Sequence, residues 1–183
     1  MISNTAQNTL NQMLVRAIKT SPLVSEAGSY EINPAASICQ ISASKMVVLT
    51  VSSYKFRLTF MIHFMPDEKT KTHFMPATNC GAADWNERAF MDAMRECGNI
   101  CCGNLNRDLV RAFPHVGMST PNIIDVQCAA FLGKLGAGYL VHSDVVILYG
   151  PKFQVSLCIN AFDYLDFSLD FVEAEVTGEL ELF

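Results

Sequence analysis

"DAMRECGNICCGN", residues 92–104, reads as part of one long helix, yet it holds two glycines and three cysteines, with Asp92, Glu96 and Asn99 spaced four and then three apart. At 100° per residue, Glu96, Asn99 and Gly103 fall within roughly 40° of Asp92, while Phe90, Met94, Cys97, Cys101 and Leu105 gather near the opposite side. The helix thus has an apolar face for a core and a polar stripe facing outward. A merely solvated face would be better built of Glu, Lys and Ala, because Asn lowers helix propensity and each Gly costs about 1 kcal/mol relative to Ala. Gly103, on the stripe, leaves bare backbone that another macromolecule can approach closely; Gly98 lies nearer the core edge, where packing accounts for it.

Working outward, Asp84-Trp85-Asn86-Glu87 has the form of a capping box that opens this helix. Pro114 predicts its end near Phe113, because the residue before a proline is disfavoured in helix. Nearer the start of the chain, Leu10, Met13, Leu14, Ala17 and Ile18 form an amphipathic stripe, predicting a first helix that begins after "SNT" and stops before Pro22. A loop rich in Ser, Gly and Pro follows to about Pro34. Between residues 38 and 65, "MVVLTV" and "KFRLTFMIHFM", separated by "SSY", read as a hairpin of buried strands. "PDEKTKTHFMPATNCGAA" is then a polar connection. After the long helix come "HVGMSTPNIIDV", a loop or short strand, a turn in "GKLGAG", and three β-like runs, "YLVHSDVVILYG", "KFQVSLCINAF" and "LDFSLDFVEAEV". Each half is a helix followed by strands. The expected fold is α+β in one domain of duplicated α-β-β-β halves, residues 1–83 and 84–183, with a mostly antiparallel sheet and two long helices packed on it.

Composition narrows the function classes. Half of the 183 residues are hydrophobic and 17% are charged, as in a folded chain with a full core. The formal net charge is -5 and no long basic run occurs, which speaks against a nucleic-acid partner. The most apolar stretch, residues 46–65, is interrupted by Ser52, Ser53, Lys55, Arg57 and His63, so no membrane span is expected. "MISNTAQNTL" has neither the basic nor the apolar region of a signal peptide, and the expected location is the cytoplasm. The seven cysteines show no CxxC pair, which fits reduced, buried thiols better than a disulfide framework or a zinc site. The four histidines are scattered over different predicted elements, and no nucleophile pair can be assigned to them. "GKLGAG" lacks P-loop spacing. The final "VEAEVTGELELF" alternates Glu with apolar residues, as a half-buried strand does; it would discourage edge-to-edge aggregation or edge the sheet of a homodimer.

The pattern of Asp92, Glu96, Asn99 and Gly103 in "DAMRECGNICCGN" resembles the active-site helix of the CheC, CheX and FliY group of chemotaxis phosphatases. Those proteins carry an acidic or Ser residue, three positions, Glu, two positions, Asn and a later glycine. Pro121 in "GMSTPNII" stands near the place of a further proline in that pattern. The leading helix and strands before the motif, and the closing strands after it, match the same layout. Cys101 and Cys102 depart from the small apolar residues or glycine common there. A second ExxN motif is absent from the first helix, where Asn8 replaces the Glu ahead of Asn11. A single-site, CheX-like arrangement is therefore expected.

The resemblance implies a phosphatase acting on the aspartyl phosphate of a CheY-like response regulator. Asn99 would orient the attacking water, Glu96 would dock to a Lys of the regulator, and Asp92 and Gly103 would belong to the contact surface. No cofactor of its own is implied, since the regulator would bring Mg²⁺. Two other readings compete with it: a response-regulator-binding adaptor without turnover, and a flagellar-switch-associated scaffold.

Overall fold

A computed structural model describes residues 1–24, 29–37, 43–77 and 85–171 of the chain. Helix α1 (Asn4–Lys19) is capped by Ser3, whose hydroxyl accepts from the Ala6 amide, and it buries Leu10, Met13, Leu14, Ala17 and Ile18 as their spacing predicts. Strands β2 (Lys45–Ser52) and β3 (Phe56–Phe64) form the expected hairpin. Helix α3 (Glu87–Ala112) contains the motif. It is followed by β4 (Gly117–Met118), β5 (Asn122–Asp125), a 3₁₀ stretch (Val126–Leu135), β6 (Tyr139–Ile147) and β7 (Lys152–Ala161).

Among the described residues seven strands, including β1 (Tyr30–Ala35), pair antiparallel in one sheet of order β1-β6-β7-β3-β2-β4, with β5 also beside β2. The pairing reads alike from either edge. Strands β3 and β7 meet at the centre, β2 and β6 flank them, and the outer places are exchanged: β1 pairs with β6, and β4 and β5 pair with β2.

Alternation along the strands sorts their side chains by face. Phe56, Leu58, Phe60, Ile62 and Phe64 of β3 and Phe153, Val155, Leu157 and Ile159 of β7 join the apolar faces of α1 and α3 in one core. On the opposite face Leu132, from the 3₁₀ stretch, covers Met46, Met61 and Cys158. That stretch ends at Gly136 with φ 68°, a left-handed position in the "GKLGAG" turn.

Several sequence expectations change. The loop before residue 34 contains β1; it tolerates Pro34 because an edge strand has an unpaired side. The polar connection contains α2 (Glu68–Phe74) and a 3₁₀ turn (Met75–Ala77). Asp67 caps α2 by accepting from the Thr70 amide, and only Thr70 and Phe74 are buried, too few to mark a helical period. The cap of α3 is Asn86, whose side chain accepts from the Ala89 amide; Asp84 lies outside the described residues. Helix α3 ends at Ala112, with Phe113 already extended ahead of Pro114. The last β-like run is no strand where it is described: Leu165 makes one parallel bridge with Ile2, residues 166–171 form none, and residues 172–183 lie outside the described residues. Among the described residues no helix is long and apolar enough to cross a membrane.

Candidate docking surface on the long helix

Packing leaves α3 one free side. On the sheet side, a Cβ at Gly98 would stand 2.6 Å from Cγ1 of Val47 and 3.2 Å from Cδ1 of Leu49, so bare glycine lets the helix lie directly on β2. On the flank toward α1, Asn104 Nδ2 donates to the Thr20 carbonyl at 3.0 Å and to Thr20 Oγ1 at 2.9 Å. Phe90, Met94, Cys97, Cys101, Leu105 and Leu109 are buried in the core. What remains is the stripe. Asp92 and Glu96 are exposed, Asn99 and Gly103 are half-buried, and nothing of the described chain lies within 4 Å of a Cβ at Gly103.

The two carboxylates of the stripe differ. Asp92 is engaged by Arg95 Nη1 at 2.7 Å and by Arg88 Nε at 4.0 Å. Glu96 has no ion pair among the described residues; its Oε2 receives Asn99 Nδ2 at 3.5 Å, the outer limit of a hydrogen bond. Glu96 and Asn99 are thus adjacent, outward and weakly committed, whereas Asp92 already holds a cation. Pro121 stands immediately before β5.

A shallow cleft lined by Glu68, Lys71, Thr72, Trp85 and Glu87 opens beside the start of α3, and no stripe residue lines it. This geometry suits contact with a macromolecule better than enclosure of a small substrate. The cysteines of α3 add no reactivity: burial drives the Cys97 and Cys101 thiols far up and pushes Cys102 up to about 12. All five described cysteines are free, and among the described residues no group of three or more His, Cys, Asp or Glu could hold a metal ion. Cys39 and Cys80 lie outside the described residues.

Helix α1 offers no second stripe of this kind. Asn8 is exposed, but Asn11 Oδ1 accepts from the Tyr139 hydroxyl at 2.8 Å, which fixes that carboxamide against β6.

One cluster had no sequence signal. His63 on β3 and His142 on β6 both reach Ser156 of β7, at 3.1 Å from Nε2 and 2.7 Å from Nδ1. The three meet because register sets His142 directly opposite Ser156 and His63 opposite Gln154, two residues along β7 on the same face, a non-local fact that spacing cannot show. Burial first, and the neighbouring His142 second, lower the His63 pKa to about 4. Ser156 is fully buried, so no substrate reaches its hydroxyl and the cluster is structural.

No protein-family model matches the sequence, and no curated protein matches it. Solved structures share the fold. CheX from Vibrio vulnificus is 17% identical, with 84% of this chain and 97% of that one covered at a TM-score of 0.54. A complex of CheX with CheY, BeF3 and Mg²⁺ from Borrelia burgdorferi gives 14% identity, 84% and 96% coverage and a TM-score of 0.58. A chemotactic CheC-like protein from Shewanella oneidensis gives 15%, 84% and 96%, and 0.58. At such identities the likeness is one of fold: the chain has the mixed, mostly antiparallel α+β fold of CheX and CheC-like chemotaxis proteins.

Proposed function

We propose that this chain dephosphorylates the aspartyl phosphate of a CheY-like response regulator, with α3 as the docking helix. The observation that carries the reading is the pair Glu96 and Asn99: a carboxylate without a cation beside a weakly held carboxamide, both outward on a helix whose Gly103 leaves its backbone open. The fold supports it, since a CheX with this fold has been crystallised together with CheY, BeF3 and Mg²⁺.

An aspartyl phosphate needs no new nucleophile from the second protein, only a water held in line with the scissile bond. A carboxamide both donates and accepts, so Asn99 can hold that water without any shifted pKa. Its 3.5 Å contact with Glu96 is given up at little cost. Glu96 then pairs with a Lys beside the regulator's phosphorylation site and fixes the register of Asn99. Asp92, shared with Arg95, extends the contact by one turn, and Gly103 admits the partner's surface. Mg²⁺ arrives with the regulator. The Asn11–Tyr139 bond supports one site per chain.

The test is the decay of phosphorylated regulators from the same organism, with wild type, Asn99→Ala and Glu96→Lys. Wild type should accelerate decay, and Asn99→Ala should lose about 100-fold or more of that acceleration while still binding, as expected when a reacting water is misplaced. Glu96→Lys should weaken binding itself. Binding without acceleration would make the chain an adaptor. Failure to bind any regulator would leave a scaffold.

A further inference from the structure

The free face of α3 does not stop at Gly103. At 100° per residue, Arg107 lies about 40° to one side of Gly103 and Val110 about 20° to the other, so both extend the line through Asp92, Glu96 and Asn99. Arg107 is exposed, and the apolar Val110 is 49% exposed. The line runs about 17 Å from Asp92 to Gly103 and about 27 Å when it is continued to Val110. A lone exposed valine is ordinary on a protein surface. On this line, next to an unpaired arginine, it lengthens the contact surface.

Charge changes sign along the line. Its first part holds the carboxylates of Asp92 and Glu96. Its second part holds Arg107 and, across the α1–α3 seam, Lys19, whose neighbour Thr20 is bonded to Asn104 about one turn before Arg107. The other cations of the seam are already engaged: the Arg16 guanidinium stands 5.5 Å from the centre of the Phe171 ring, and Arg111 donates to the Asp170 carbonyl at 3.1 Å and faces Asp108 at 3.9 Å. Lys19 and Arg107 are exposed and have no ion-pair partner among the described residues, in a chain whose formal net charge is -5. Helix C-termini favour cations, which accounts for Lys19 in the last turn of α1 and Arg111 in the last turn of α3. It does not account for Arg107, one turn earlier.

We propose that the docking surface continues past Gly103 over Arg107 and Val110 and onto Lys19, and that this end meets an acidic patch on the receiver domain. This rests on the docking role given to α3 above. Glu96 and Arg107 are about 17 Å apart along the helix, so the receiver's acidic patch stands about that far from the Lys that Glu96 meets. A strip that is anionic at one end and cationic at the other accepts a partner in one direction only, because the reversed pose sets like charges together. The cationic end thereby fixes the direction of docking, and Glu96 fixes the register that puts Asn99 at the phosphoryl group.

The test compares the full chain with Arg107→Glu, Lys19→Glu and Lys152→Glu. Lys152 is exposed at the start of β7, on the sheet face away from the helices, and its reversal changes net charge by the same amount. Circular dichroism checks that each variant folds. The probes are CheY-like receiver domains of the same organism loaded with beryllofluoride and Mg²⁺, with affinity and association rate read by surface plasmon resonance. Arg107→Glu and Lys19→Glu should each bind about fivefold to tenfold more weakly, mainly through slower association, and Lys152→Glu less than about twofold more weakly. At 1 M salt, where the Debye length falls to about 3 Å, the gap should close. Equal weakening in all three variants would reduce the effect to net charge and overturn the proposal. Wild-type affinity in Arg107→Glu and Lys19→Glu would overturn it too, and either result leaves the contact of Glu96 and Asn99 standing. Wild-type protein that binds no receiver would sink the docking role and this extension together.

Discussion

Replacing each of the two glycines of α3 with alanine should move stability in opposite directions. Alanine gains about 1 kcal/mol over glycine in a helix interior. At Gly103 the new methyl meets nothing of the described chain within 4 Å, so the gain is kept and the Tm should rise by about 2–4 °C for a chain of this size. At Gly98 it would stand 2.6 Å from Cγ1 of Val47. Val47 is fully buried, β-branched and stiff about χ1, and its strand is held by β3 on one side and β5 on the other. Either the helix lifts from β2 or Val47 leaves its rotamer. Overpacking of this kind costs about 1–3 kcal/mol against a propensity gain of about 1 kcal/mol, and the 2.6 Å approach puts it toward the upper end, a net loss of up to about 2 kcal/mol. Urea denaturation read by circular dichroism measures both, with unchanged m-values confirming that only stability moved. If α3 docks as proposed, Gly103→Ala should also weaken regulator binding, because its methyl would stand between the two surfaces. A Gly98→Ala variant as stable as wild type would refute direct seating of α3 on β2, and a destabilised Gly103→Ala would refute the open face.

Other perturbations follow from the same geometry. Because folding lowers the His63 pKa from 6.5 to about 4, its contribution is intact above pH 6.5 and is lost as pH falls from there toward 4. At pH 5 the loss should be about 2 kcal/mol; His142, also lowered by burial but opposed by Asp144, adds to it. Chemical denaturation between pH 7.5 and 4.5 measures this, and His63→Leu should flatten the profile. Asn104→Ala removes both bonds to Thr20 and should cost about 1 kcal/mol of stability, read as a lower urea midpoint with the core signals unchanged.

The long periodic elements were legible in the sequence because burial imposes a pattern. The stripe of α1 and the β2–β3 hairpin stand where their residues predict, and the faces of α3 divide as its periodicity requires. The pieces that escaped are short or governed by distant partners. Helix α2 buries only Thr70 and Phe74, too little to reveal a period, and β1 is a strand only because β6 pairs with it. At the candidate site, spacing put Glu96 and Asn99 on one outward face. It could not show that Asp92 is taken up by Arg95 while Glu96 lacks a cation, since both carboxylates look alike in sequence. The meeting of His63, His142 and Ser156 depends on two strand registers and had no local signature.

The exchange of strands between halves governs how the chain can be made. Strand β1 ends at Ala35, yet its partner β6 ends at Ile147, about 110 residues later. At about 5–20 residues per second the ribosome needs roughly 5 to 20 seconds to supply that partner. During this interval the hairpin of β2 and β3 is complete, but both of its outer edges await β7 and β5, offering unpaired backbone to other nascent chains. Synthesis of the first half alone would leave those edges open for good. The sheet can close only after translation passes β7, so the two halves are a single unit of biosynthesis even though each has its own helix and hairpin.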